Sequence, residues 1–270
     1  MIDVSKIDYS VMDRPEVLHL LFHPRPEWGR SQHAEGMEEI HVPVEGEITL
    51  GTRFFISGLH APNIVFFHGN GEIVADYDEV GELYRRVGIN FIPVDYRGYG
   101  RSTGQPSVTA MMRDSHVLFH FFRQLLSEKG YDGAILIMGR SLGSASALEL
   151  ASTYPDSIDG IVIESGFART GPLMALLGLP LERMGMTEEE GFRNWEKIRL
   201  FPKPTLIIHG EFDELIPLEE GRLLYEASGA SEKRLLEIRG AGHNDIFLVG
   251  LQDYMEGVRN LVERVSRDRV

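Results

Sequence analysis

The stretch "GAILIMGRSLGSASALELA", residues 133–151, decides how the chain is read. An apolar run stops at Gly139, Ser141 follows two positions later, and Gly143 leads into an Ala/Leu-rich segment of helical character. A short continuous apolar run reads as a strand buried on both faces. A small hydroxyl residue between two glycines then marks the handover from strand to helix. Taken alone, that pattern fits a tight turn that starts a helix, and it equally fits a serine nucleophile held in a nucleophile elbow.

Working outward, similar runs recur along the chain. "EEIHVPVE", "EITLGTRFFIS", "NIVFFHG", "INFIPVDY", "AILIMGR", "IDGIVIES", "TLIIHGE" and "RLLEIRG" read as eight strands. From the third onward they are mostly continuous rather than alternating, which predicts a parallel sheet covered on both faces. Helical periodicity lies between them at about 77–87, 108–129, 142–153, 218–228 and 246–266. Strand–helix repetition of this kind predicts a single doubly wound α/β domain over residues 1–270, with the first two strands forming an antiparallel start. Residues 167–200 break the rhythm, because Gly171, Pro172, Gly178, Pro180 and Gly185 cut them into two or three short helices. They read as a cap inserted over the sheet.

Composition narrows the function. The 270 residues are 43% hydrophobic, enough for a sizeable core, and 41 acidic against 27 basic side chains leave a formal charge of −14. An acidic surface repels a phosphate backbone, so nucleic acid is not an expected partner. With no cysteine, disulfides, thiolate metal sites and a cysteine nucleophile are excluded. The N-terminus lacks a basic segment followed by an apolar run, so no signal peptide is expected. No run of about 18 apolar residues occurs, so no integral membrane segment is expected either, and a cytoplasmic location is the default. His19, His23, His33 and His41 match no metal-ligand spacing and read as scattered surface histidines. Nothing in the sequence addresses oligomeric state.

In an open parallel sheet, ligands bind beyond the carboxyl ends of the strands. There the sequence places Gly139-Arg140-Ser141-Leu142-Gly143, Glu211-Phe212-Asp213-Glu214, Ala241-Gly242-His243-Asn244-Asp245 and His68-Gly69-Asn70-Gly71-Glu72. A serine hydroxyl is a poor nucleophile until a base takes its proton, a task suited to an imidazole such as His243. That ring needs a carboxylate to fix its tautomer and offset its developing charge, a role for Asp213, with Glu211, Glu214 and Asp245 as competitors. The oxyanion of a tetrahedral intermediate needs two backbone N–H donors. The amide of Leu142 is the first, and that of Asn70 is the expected second. The order Ser141, Asp213, His243 is the order expected of an α/β-hydrolase.

Together, "HGNGE", "VDYRGYGRSTG", "GRSLG", "HGEFDELIP" and "GAGHND" resemble the α/β-hydrolase superfamily over about residues 40–265. Within it they look like the small serine hydrolases of the bud-emergence-protein type, a group that includes protein depalmitoylases. The resemblance implies the α/β-hydrolase fold and the same triad, with Ser141 as nucleophile, Asp213 as acid and His243 as base. It also implies a hydrolase that uses neither metal nor organic cofactor, and it leaves the substrate open.

Other features have plainer readings beside functional ones. Asp95 through Ser102, "DYRGYGRS", reads as a structural loop in which Asp and Arg pair locally, and Glu72 as an exposed loop carboxylate. In the cap, Leu173, Met174, Leu177 and Met184 either pack the insertion onto the body or line an acyl pocket. The expected activity is a metal-independent carboxylesterase or thioesterase acting on a small-molecule or acyl substrate. A peptidase or amidase on the same triad is one alternative, and a non-catalytic small-molecule receptor on a hydrolase scaffold is another.

Overall fold

The computed structural model describes residues 3–29 and 35–267. His33 lies outside them. The chain divides into two compact units, Met1–Ile135 and Leu136–Val270.

The first unit opens with a short helix that the sequence pattern did not announce, α1 (Pro15–Leu21), started by Pro15 at its first position and burying Val17 and Leu21. Its strands are β1 (Met37–Glu45), β2 (Ile48–Phe55), β3 (Asn63–Phe67) and β4 (Asn90–Val94), in the order β1-β2-β4-β3. β1 and β2 pair antiparallel, as expected, and β2 continues antiparallel onto β4, while β3 and β4 are parallel. β3 and β4 are buried at every position, in keeping with their unbroken apolar character. The helices are α2 (Asp78–Arg86) and α3 (Val108–Glu128). α3 begins where Ser107 accepts the amide of Ala110 on its side chain, at 3.1 Å. Tyr84 of α2 stacks on Phe91 of β4 with centroids 4.5 Å apart, and Phe91 in turn meets Phe66 of β3 at 5.3 Å.

The "DYRGYGRS" loop is structural, but its charges do not pair with each other. Asp95 accepts the amide of Val74 and lies 3.3 Å from His68, while Arg97 reaches α3. There its Nε and Nη2 each donate to Asp114 at 2.7 Å, a bidentate pair that only a planar fork can make.

The second unit holds β5 (Ile135–Arg140), β6 (Gly160–Glu164), β7 (Thr205–Gly210) and β8 (Lys233–Ile238), all parallel and in sequential order. β6 and β7 are buried throughout. Each aliphatic side chain of "IVI" and "LII" contributes about 1.5–3 kcal/mol by leaving water. Helix α4 (Gly143–Thr153) follows β5. The insertion forms α5 (Thr170–Leu176), α6 (Leu181–Met184), a 3-10 turn at Glu188–Glu190 and α7 (Asn194–Arg199); Gly178, Pro180 and Gly185 fall at the breaks, whereas Gly171 and Pro172 lie inside the first turn of α5, where the missing N–H of proline is tolerated. α8 (Leu218–Ala227) and α9 (Ile246–Arg267) complete the unit. The described residues thus carry eight strands, mostly parallel, and nine α-helices.

Asp114→Asn removes the bidentate partner of the buried Arg97 guanidinium and leaves only Glu45, 2.9 Å from its Nη1 and itself largely exposed, to offset the charge. Equilibrium unfolding in urea is expected to show a loss of about 3–5 kcal/mol, and an unchanged midpoint would contradict a structural role for the pair.

Candidate active site

The elbow is built by a close approach. A Cβ on Gly139 would stand 2.4 Å from the carbonyl oxygen of Gly143 and 2.8 Å from Cβ of Ala147, so β5 runs against α4 only because residue 139 has no side chain. Between them Ser141 takes φ +50°, the left-handed region that a residue with a side chain enters at a cost of about 1–3 kcal/mol. The strained backbone is tied on both sides. Its N–H donates to the carbonyl of Glu164 at 2.9 Å, and its own carbonyl accepts the amide and hydroxyl of Ser144 at 3.0 and 2.6 Å. Leu142 caps α4, where first-turn amides have no acceptor within the helix.

The loops after β7 and β8 bring the other two residues to it. His243 Nε2 lies 3.1 Å from Ser141 Oγ. On the far side of the ring, Nδ1 lies 2.8 and 2.9 Å from the two oxygens of Asp213. Asp213 also accepts the amides of Leu215 and Ile216, at 3.0 and 2.7 Å. Burial alone would raise its carboxyl, but the His243 hydrogen bond and charge, the Ile216 amide and nearby His209 together hold it below the ordinary carboxylate value. It is therefore the anionic partner of the ring at neutral pH.

The three competing carboxylates do different work. Glu211 accepts the amide of Gly240 at 2.9 Å, Asp245 that of Gly242 at 2.7 Å and Glu214 that of His243 at 3.2 Å. Each therefore fastens the backbone of the histidine loop, and none contacts the imidazole. On the opposite face of that loop, Arg140 donates to the carbonyl of His243 at 2.8 Å.

A second histidine was not foreseen. His209, at the end of β7, is fully buried, donates from Nε2 to the Ile216 carbonyl at 2.7 Å, and lies 3.4 Å from Asp213 Oδ2. Its Nδ1 has no hydrogen-bond partner and faces Gly221, where a Cβ would come within 2.5 Å of it. Burial pushes this imidazole below its ordinary value, against the pull of the Ile216 carbonyl and the Asp213 charge. The signal available in the sequence was the "HG" closing an apolar strand four residues before Asp213.

Asn70 lies in the first unit, in the loop after β3. Its Oδ1 accepts the amide of His23 and the hydroxyl of Tyr99, both at 2.8 Å, and its Nδ2 lies 2.9 Å from His23 Nδ1. These contacts tie the Asn70 side chain to His23 and Tyr99. Glu72 accepts the Gly69 amide at 2.7 Å and the Tyr77 hydroxyl at 2.6 Å, so it shapes that loop instead of lying free on the surface. In the cap, Met174 and Met184 are buried, whereas Leu173 and Leu177 keep partial exposure.

A relative described as alpha/beta hydrolase domain-containing protein 17C, from Xenopus tropicalis, is 29% identical over 255 residues, covering 92% of this chain and 77% of its own length. An uncharacterized membrane protein of Saccharomyces cerevisiae is 30% identical over 241 residues, covering 83% of this chain and 82% of its own. The chain belongs to the α/β-hydrolase superfamily. The family model for serine aminopeptidase S33 hydrolases matches residues 60–188. In fold, the chain is similar to an esterase of Pyrococcus furiosus, with a TM-score of 0.69 at 18% identity over 90% of this chain and 97% of the other. It is also similar to the Est1E protein of Butyrivibrio proteoclasticus with ferulic acid bound, with a TM-score of 0.66 at 18% identity over 82% and 99%. Although the yeast relative is described as a membrane protein, no described helix of this superfamily member is long and apolar enough to cross a membrane.

The buried His209 makes stability pH-dependent in a definite direction. Its folded-state value is depressed, so its contribution is fully present above about 6.5, the ordinary value, and is lost as pH falls below it. The depressed Asp213 carboxyl acts in the same direction, but only below its ordinary 3.8. His209→Gln is therefore expected to narrow the difference in melting temperature between about pH 7 and pH 5. An equal or larger difference in the variant would contradict a histidine buried in its neutral form.

Proposed function

We propose that the chain is a serine hydrolase that cleaves carboxylic esters or thioesters through an acyl-enzyme on Ser141. The observation that carries this reading is the unbroken line of contacts from Ser141 Oγ to His243 Nε2 at 3.1 Å, and from His243 Nδ1 to Asp213 at 2.8 Å. In the reaction, Ser141 Oγ attacks the acyl carbonyl as His243 takes its proton. The imidazolium so formed is stabilised by the Asp213 anion and then gives the proton to the leaving alkoxide or thiolate. Water, deprotonated by the same ring, releases the acyl group and restores the serine. The Leu142 N–H, at the start of α4, supplies an oxyanion donor.

Apolar acyl groups are the favoured substrates. Phe212 and Leu215 flank Asp213 and are 66% and 44% exposed, and Leu248, just beyond His243, is 83% exposed. Exposed apolar side chains on the loop that carries the acid and in the first turn of α9, after the base, suit an alkyl chain. Leu173 and Leu177 of the cap are the residues assigned to further contact with it; the buried Met174 and Met184 serve mainly to pack the insertion. The S33 family description supports a second reading, an aminopeptidase on the same triad.

A fluorophosphonate probe is expected to label Ser141 stoichiometrically. p-Nitrophenyl esters should be turned over faster as the acyl chain lengthens, with a thioester cleaved and an aminoacyl amide resisted. Ser141→Ala should lower turnover by at least about 10⁴-fold. Failure to label Ser141 would overturn the hydrolase reading; a flat chain-length profile would overturn the acyl preference, and rapid amide cleavage would favour the peptidase.

A further inference from the structure

The residue before the nucleophile carries a charge that the chemistry above does not use. Arg140 ends β5 with a side chain only 9% exposed, and its ion-pair partner Glu164, which ends β6, is 6% exposed. Arg140 Nε donates to Glu164 Oε1 at 3.1 Å, and the hydroxyl of Tyr254, on α9, donates to Glu164 Oε2 at 2.6 Å. The same guanidinium donates from Nη2 to the carbonyl oxygen of His243 at 2.8 Å and to Asn244 Oδ1 at 3.2 Å. Glu164 closes the circuit through its backbone, whose carbonyl accepts the amide of Ser141 at 2.9 Å. One buried ion pair is therefore bonded to the backbone of both the nucleophile and the base.

Stability alone does not account for such a pair. Desolvating two charges offsets much of their attraction, and a well-packed apolar pair in the same space is often as stable or more so. What an apolar pair cannot do is fix one loop against another by directed hydrogen bonds. Arginine is suited to this, because its rigid fork donates along two edges at once, to a carboxylate on one side and a carbonyl on the other. Three carboxylates already hold the amides at Gly240, Gly242 and His243, and Arg140 holds the carbonyl of His243 itself.

We propose that Arg140, seated on Glu164 and Tyr254, is a positioning residue that sets the reach of His243 Nε2 to Ser141 Oγ. The inference rests on the serine-hydrolase reading and assigns Arg140 no contact with substrate. Its effect falls on the proton-transfer geometry, where a misplacement of about 1 Å costs on the order of 100-fold in rate. Lysine, a point donor on a flexible stem, satisfies Glu164 or the His243 carbonyl but not both with fixed geometry.

The test compares Arg140→Lys, Arg140→Met and Tyr254→Phe with the wild-type chain and Ser141→Ala. The readouts are kcat and KM on a p-nitrophenyl ester, the rate of fluorophosphonate labelling, and the melting temperature. Arg140→Lys is expected to lose about 100-fold in kcat and in labelling rate at a KM within about twofold. Arg140→Met should lose more, so that lysine acts as a partial rescue, and Tyr254→Phe should lower kcat by a smaller factor with folding intact. Should the methionine variant fail to fold, the other two still decide the matter. Wild-type kcat and labelling in Arg140→Lys and Tyr254→Phe would overturn the proposal while leaving the hydrolase reading intact, as would losses confined to KM or matched by the unfolded fraction. Absence of wild-type labelling at Ser141 would overturn both.

Discussion

The constraint on which the rest depends is the left-handed backbone of Ser141. A residue with a side chain sits at φ +50° only if its surroundings hold it there. The absent side chain at Gly139 lets the strand run against the helix, and the carbonyl of Glu164 fixes the serine amide. Relaxation of that turn would carry Oγ away from the imidazole. The strain is local, and the hydrogen bonds to Glu164 and Ser144 hold it.

The second unit gathers the whole hydrogen-bonded triad from three strand ends. Ser141, Asp213 and His243 follow β5, β7 and β8, and each is fastened by hydrogen bonds to neighbouring groups. Asp213 takes two backbone amides as well as the imidazole, so its orientation is set before any substrate arrives. The histidine loop is held at the amides of Gly240, Gly242 and His243 by Glu211, Asp245 and Glu214, an arrangement that ties down a short glycine-rich turn. Pre-organisation of this kind matters because reorientation during the reaction would add to the barrier.

Much of this was legible in the sequence, and the exceptions share a cause. Continuous apolar runs marked β3, β4, β6 and β7 because burial on both faces removes the alternation that would otherwise blur them. α4 and α9 began within one residue of their expected starts, since Gly143 and Asp245-Ile246 punctuate sharply. The serine, aspartate and histidine could be read because each lies in the loop that begins at the end of its strand. What escaped was pairing over distance. Arg97 chose Asp114 over its neighbour Asp95, and Arg140 joined Glu164, 24 residues on, to a loop 103 residues on. Side-chain reach across a sheet leaves no periodic mark. α1 was missed for a different reason: seven residues are too few to show a helical period.

The central claim is that Ser141 itself becomes acylated during turnover. It is tested most directly by acid-quenching the wild-type protein while it hydrolyses a p-nitrophenyl ester, then measuring peptide masses. The account predicts that the peptide containing Ser141 gains the mass of the acyl group, that fragmentation assigns the gain to Ser141, and that Asp213→Asn slows its formation. Sustained turnover with no adduct on Ser141, or with the adduct on another residue, would contradict it.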